Sequence, residues 1–167
     1  MIFTKNPVVY GAPETGKSFV GKLVVLYAIT QGLNIIPTAL MGVRSNVLGG
    51  IYLHELFKLP TSGNASMSPY RSDQLALEKI MFKTSLYHVL LTLDVIFLNE
   101  AGQTSSSQLS TIDIIFPKSR RSQTPFGGVM IIGTTDPSQL QPINQQPFLT
   151  SSLMLTCFIM VELNHSI

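Results

Sequence analysis

The sequence predicts an α/β fold, a mostly parallel sheet sandwiched between helices, and three observations carry that prediction. Short apolar runs alternate with longer amphipathic stretches along the 167 residues, the rhythm of strands joined by crossover helices. A glycine-rich loop, Gly11 to Ser18, sits between an apolar run and an amphipathic one. Apolar residues make up 45% of the chain and charged residues only 12%, against roughly 25% charged in an ordinary soluble protein. That balance supplies a real core and points to faces covered by something outside the chain.

The elements follow in order. Pro7 to Tyr10 reads as a buried strand feeding the glycine turn, and Lys17 to Gln31 as a helix stopped by Gly32. Asn34 to Leu40 is a second strand, which Pro37 places at an edge or a bend. Gly42 to Leu48 makes a short helix ended by Gly49-Gly50, and Tyr52 to Leu59 another. Pro60 to Pro69, rich in Ser, Gly, Asn and Pro, is a loop or an insertion. Arg71 to Leu91 carries apolar residues at Leu75, Leu77, Ile80, Met81, Leu86, Val89 and Leu90, which suits one or two helices. Asp94 to Leu98 is an apolar, β-branched strand ending in Asn99-Glu100, and Ser107 to Phe116 a helix ended before Pro117. Gly128 to Gly133 and Met154 to Leu163 are the last buried strands. Right-handed crossovers between such strands give three layers.

Composition also excludes classes. At about 150 residues per domain the length suits one domain, and the apolar content excludes intrinsic disorder. The longest apolar stretch, His88 to Leu98, is short and carries Thr92 and Asp94, so neither a transmembrane helix nor a membrane partner is expected. A single cysteine, Cys157, allows no internal disulfide, and Met1 to Pro7 lacks the pattern of a signal peptide. An intracellular setting is the expectation. Eleven basic residues against nine acidic ones are too nearly balanced to argue nucleic-acid binding on charge alone.

The chemistry starts at Gly11-Ala12-Pro13-Glu14-Thr15-Gly16-Lys17-Ser18, which fits G-x-x-x-x-G-K-[ST] at every required position. Glycines let the backbone curl so that successive N–H groups face phosphate oxygens. Lys17 reaches the β and γ groups, Ser18 offers a hydroxyl to Mg²⁺, and the following helix presents its positive end. ATP and Mg²⁺ are the expected ligands; the bland alternative is a structural glycine turn. A second acid should end a neighbouring strand, and Glu100, after Leu93 to Asn99, is placed to activate or orient water. Its alternative is a solvated strand-end carboxylate. Asp94, at the other end of that strand, is structural.

Further motifs narrow the reading. Gly133 to Ile143, with Asp136-Pro137-Ser138-Gln139-Leu140-Gln141-Pro142-Ile143, resembles the G-D-x-x-Q-L-x-P-[IV] element of superfamily-one DNA helicases. Asn99-Glu100-Ala101-Gly102-Gln103 resembles their D-E-x-[GS]-[QM] element. Thr38-Ala39-Leu40 with Gly49 to Phe57 looks like the T-A-…-G-G-x-T-[IL]-H-S-x-F segment of the Pif-type helicases, the 5′-to-3′ enzymes of the superfamily-one B branch. Val161 to Ser166 is similar to the strand leading into the next helicase motif.

The resemblance covers nearly the whole chain and implies a RecA-like first motor domain. It implies phosphate and Mg²⁺ binding by Gly11, Gly16, Lys17 and Ser18, water activation by Glu100, and sensing of the γ-phosphate by Gln139. The Gly49 to His54 segment, with Gly50, Tyr52 and His54, would lie near single-stranded or forked DNA. For His54 the alternative is packing against a neighbour, and for Gln139 a polar loop residue. Lys118, Arg120 and Arg121 read as a solvated helix end, with a DNA patch as the alternative. With no Trp, base stacking would fall to Phe57, Tyr52 or Phe126. In a eukaryote the resemblance implies the nucleus or mitochondrion.

The sequence also departs from the family pattern. The metal-site Asp is Asn99, which weakens Mg²⁺ binding; the fourth loop position, commonly Gly, is Glu14; and Tyr52 replaces Thr. The chain stops at Ile167, before the second RecA-like domain with its arginine finger, so a first motor domain alone, truncated or a remnant, is expected. A degenerate nucleotide-binding module with little turnover is the alternative. A small P-loop kinase ranks last, because the four arginines, Arg44, Arg71, Arg120 and Arg121, form no lid-like cluster.

Overall fold

The computed structural model describes residues 5–40, 49–59, 69–138 and 156–163. The expected Gly42 to Leu48 helix, most of the Pro60 to Pro69 loop, and Gln139 lie outside those residues. Among the described residues the strands are β1 (Asn6–Tyr10), β2 (Ile35–Ala39), β3 (Ile51–Tyr52), β4 (Val95–Asn99), β5 (Met130–Thr135) and β6 (Phe158–Glu162). They form one parallel sheet in the order β3-β2-β4-β5-β1-β6. The helices are α1 (Lys17–Thr30), α2 (Leu53–Leu56), α3 (Pro69–Met81), α4 (Thr84–Thr92) and α5 (Ser106–Arg120). The expected α/β class is therefore the observed one, and no helix among the described residues is long and apolar enough to cross a membrane.

Strand β4 is buried from Val95 to Leu98, as a central parallel strand covered on both faces must be. The core joins Val8, Ile96, Leu98 and Ile131 of the sheet to Leu53, Ile80, Leu90, Ile112 and Phe116 of the helices. Two edge-to-face aromatic pairs fix its geometry: Phe57 on Phe116 at 5.4 Å and Phe126 on Phe158 at 5.8 Å between ring centroids. Phe57 and Phe126 are fully buried, which corrects the expectation that either offers a stacking face to DNA. Asn6 ties three strands at their entry, donating to the Cys157 carbonyl and accepting from the Ile131 amide at 2.8 Å.

Pro37 pairs in register with Phe97 of β4, whereas β3 joins β2 only at Thr38 and Ala39. The proline thus sits where the outer side of β2 has no ladder partner, as its missing N–H requires. Asp94 accepts the Asn34 amide at 2.9 Å at the sheet's far end, the structural task expected of it.

Helix α5 runs through Pro117 to Arg120, a correction to the helix expected to end at Phe116. An interior proline costs a helix about 3 kcal/mol, and tertiary contacts offset it here. Arg120 Nε donates to the Leu90 carbonyl at 2.9 Å, and the guanidinium also donates to the Leu93 carbonyl and lies 5.5 Å from the centre of the Phe116 ring. Lys118 pairs with the buried Asp73, and the Tyr87 hydroxyl donates to the Ser119 carbonyl. Two of the three basic residues read as a solvated helix end are therefore anchors for the last turn; Arg121 is exposed.

Candidate functional site

The parallel register brings the carboxyl ends of β1, β5 and β4 to one side, with Val8 beside Gly133, Tyr10 beside Thr135, and Leu98 also beside Gly133. Crevices of α/β sheets form beyond such strand ends. A cleft of about 360 Å³ opens there, lined by Pro13, Glu14, Gly16, Lys17, Ser18, Asn99, Glu100, Thr134, Thr135 and Asp136. Of the expected site residues, Pro13, Glu14, Gly16, Lys17, Ser18, Asn99 and Glu100 line this cleft, and Gly11, Ala12 and Thr15 do not. Within the loop, the Thr15 hydroxyl donates to the Ala12 carbonyl at 2.9 Å.

The loop turns into α1 through Gly16, whose φ of 84° is left-handed and open to glycine without a steric cost. The first helical amides have no partners inside the helix, and Gly16, Lys17 and Ser18 present that end of α1 to the cleft. Lys17 folds over the loop, its Nζ donating to the Gly11 carbonyl at 2.7 Å and to that of Ala12, with Asp136 Oδ2 3.5 Å away. Glu14 adopts φ 63°, a conformation that costs a residue with a side chain about 1–2 kcal/mol and that glycine would take freely.

At the tip of β4, Thr134 organises two neighbours with one hydroxyl. It donates to Asn99 Oδ1 at 3.0 Å and accepts the Glu100 amide at 3.3 Å. Glu100 is itself left-handed, φ 57° and ψ 48°, as it leads into a short 3₁₀ turn at Ala101–Gln103. Non-glycine residues held this way cost about 1–3 kcal/mol and cluster at functional sites. On the other wall, Asp136 is buried, and its Oδ1 accepts from the Ser138 amide at 2.9 Å and the Ser138 hydroxyl at 2.6 Å. The Ser138 bonds first, and the charge of Lys17 with them, hold the Asp136 carboxyl below the usual carboxylate range against the opposing pull of burial.

The donor set suits a hard cation. Mg²⁺ takes one or two protein oxygens and fills its octahedron with phosphates and water, and the cleft offers the Ser18 hydroxyl and the Glu100 carboxylate. Asn99 fits less well, because its neutral amide oxygen brings no negative charge to a divalent cation.

The segment expected near DNA lies elsewhere. Gly50, Tyr52 and His54 stand at the β3 edge, outside the cleft. A side chain on Gly50 would meet the Pro37 carbonyl oxygen at 2.1 Å, so close backbone approach alone requires glycine there. Tyr52 and His54 stack at 5.0 Å. His54 Nε2 lies 3.2 Å from Gln108 Nε2, while Gln108 Oε1 accepts the Ser105 amide in the capping box of α5. The amide thus turns its NH₂ toward the imidazole, which accepts, and burial lowers the His54 pKa from its ordinary value in agreement. His54 thus packs against Tyr52 and Gln108.

Sequence reasoning gave no task to Thr134, Asp136 or Gln108. For Asp136 a signal existed: Asp followed two positions later by Ser is an Asx-turn pattern that fixes a carboxylate.

A parallel sheet whose first strand turns into a helix through a glycine-rich loop, with a lysine and a hydroxyl at the helix start and an acid at a nearby strand tip, defines a P-loop nucleotide-binding domain. A sequence profile of the PIF1-like helicases matches residues 3–159, and the chain belongs to that family. It is 28% identical over 130 residues to the ATP-dependent DNA helicase PIF3 of Trypanosoma brucei brucei, an alignment covering 78% of this chain and 14% of that protein. The ATP-dependent DNA helicase RRM3 of Saccharomyces cerevisiae is 28% identical over 136 residues, covering 77% and 18%. The chain therefore spans less than a fifth of these relatives.

Solved structures agree on the fold. The crystal structure of Pif1 helicase from Candida albicans superposes with a TM-score of 0.81 at 20% identity, over 95% of this chain and 36% of that one. Pif1 helicase from Bacteroides in complex with ADP-AlF3 and ssDNA gives 0.77 at 23% identity, over 98% and 42%. The RecA-like architecture is common to all three.

Proposed function

We propose that this chain is the ATP-binding and ATP-hydrolysing first motor domain of a 5′-to-3′ DNA helicase, coupling hydrolysis to movement along single-stranded DNA. One observation carries the reading: Lys17 and Ser18, from one stretch of sequence, and Asn99 and Glu100, from another some eighty residues on, line a single cleft. Lys17 and the amides opening α1 bind the phosphates, and Ser18 with Glu100 would hold Mg²⁺. When bound, Mg²⁺ supplies positive charge against the phosphate oxygens. That charge matters here, since the lining residues carry one ammonium, Lys17, against the carboxylates of Glu14, Glu100 and Asp136. Glu100, fixed through its amide by Thr134, accepts the proton of the water that attacks the terminal phosphate. Gln139 reports that phosphate to the DNA-binding surface. Gly50, Tyr52 and His54 contribute to the DNA path, and a second RecA-like domain completes it. The relatives support the helicase reading: PIF3 and RRM3 are ATP-dependent DNA helicases, and the Bacteroides Pif1 helicase forms a complex with ADP-AlF3 and ssDNA.

A specific observation favours a second reading, a nucleotide-binding module with little turnover. The Asn99 amide carries no charge where the family pattern has a carboxylate, and its Oδ1 accepts from Thr134. Asn99→Asp decides between them. With a working site, restoring the carboxylate raises Mg²⁺-dependent ATPase by about tenfold, the low end of what second-shell changes cost metal sites. No gain in phosphate release, with DNA and a second motor domain supplied, would establish the module.

A further inference from the structure

The ammonium of Lys17 has three protons to donate. The Gly11 and Ala12 carbonyls take two, and its remaining side faces Asp136 Oδ2 at 3.5 Å. That separation exceeds the roughly 2.7–2.9 Å of a charge-assisted hydrogen bond. Asp136 Oδ2 is buried and accepts no hydrogen bond, while Ser138 engages the other oxygen twice. The carboxylate is therefore charged, pinned and close to the lysine without being locked to it. It stands where an anionic oxygen of a ligand on Lys17 would compete with it.

We propose that Asp136 is a positioning residue that stands in for a nucleotide phosphate oxygen beside Lys17, occupying the ammonium until a nucleotide displaces it. The inference rests on the phosphate-site reading above and assigns to Asp136 a task separate from catalysis. Pinned by Ser138, the carboxylate cannot follow when Lys17 turns to a phosphate oxygen. It is left buried beside a like charge, which weakens nucleotide binding and favours release. Asp136 also lies three residues before Gln139 in sequence.

The test is calorimetric titration of the full chain with Mg²⁺·ADP and with AMP, which lacks the β-phosphate that Lys17 would hold. Asp136→Asn keeps the shape and removes the charge. The expected result is ADP binding tightened by about three- to tenfold, from the removed like-charge repulsion, with AMP binding unchanged. Ser138→Ala, which unpins the same carboxylate, shifts ADP affinity in the same direction by a smaller factor and decides the matter alone if Asp136→Asn does not fold. A buried group with only a structural task would not tighten ADP while leaving AMP alone. ADP affinity unchanged or weaker in a folded Asp136→Asn, or unchanged in Ser138→Ala, overturns the proposal. Retained ADP binding in Lys17→Ala would instead overturn the phosphate-site reading itself.

Discussion

Lys17→Ala abolishes ADP binding by the full chain, a loss of at least about 100-fold, in keeping with one or two charge-assisted hydrogen bonds at roughly 1.5–3 kcal/mol each. The size follows from the site. Lys17 is the one cation among the residues lining the cleft, set against three carboxylates, so nothing else on those walls can take over its charge. The substitution also leaves buried Asp136 beside no ammonium, which adds repulsion between that carboxylate and an entering phosphate. Calorimetry reads the affinity, and a circular dichroism melt confirms that the fold persists. Unchanged affinity in a folded variant would mean that the glycine turn is structural.

Phe116→Ala destabilises the fold by about 3–5 kcal/mol, the range for emptying a fully buried aromatic site. Phe116 is completely buried, meets Phe57 edge to face, and lies under the Arg120 guanidinium. Three supports converge on this ring: the α2 side of the core, the continuation of α5 past Pro117, and the Arg120 clamp on the Leu90 and Leu93 carbonyls. Urea unfolding followed by far-ultraviolet circular dichroism measures the loss. A change below about 1 kcal/mol, typical of a surface site, would contradict this account of α5.

What the sequence conveyed, and what it did not, divides along physical lines. The phosphate loop could be read because backbone geometry dictates its residue types: a left-handed Gly16, a lysine, a hydroxyl, and an apolar strand before them. Glu100 could be read because parallel strands deliver their ends to one side. Pro117 misled, since the proline penalty is local whereas the Arg120 and Lys118 contacts that offset it come from residues 27 to 45 positions away in sequence. Arg120 shows the same limit: a basic residue at a helix end reads as solvated until its partners are known. Phe57 and Phe126 were candidate stacking platforms because aromatics serve cores and bases equally, and only burial separates the two uses. Gly50 fitted a family motif, yet the Pro37 carbonyl 2.1 Å from its would-be Cβ gives a packing reason for the same glycine. Asp136 lay inside a recognised motif without a task, because pairing with Lys17 spans more than a hundred residues.

Backbone amide NMR of the ¹⁵N-labelled chain during titration with Mg²⁺·ADP tests the central claim most directly. Gly16, Lys17, Ser18, Glu100 and Thr134 should shift together with one saturation curve, while Tyr52 and His54 move little. Saturable shifts confined to the β3 edge, with the amides at the start of α1 unmoved, would contradict a phosphate cradle at the end of the sheet.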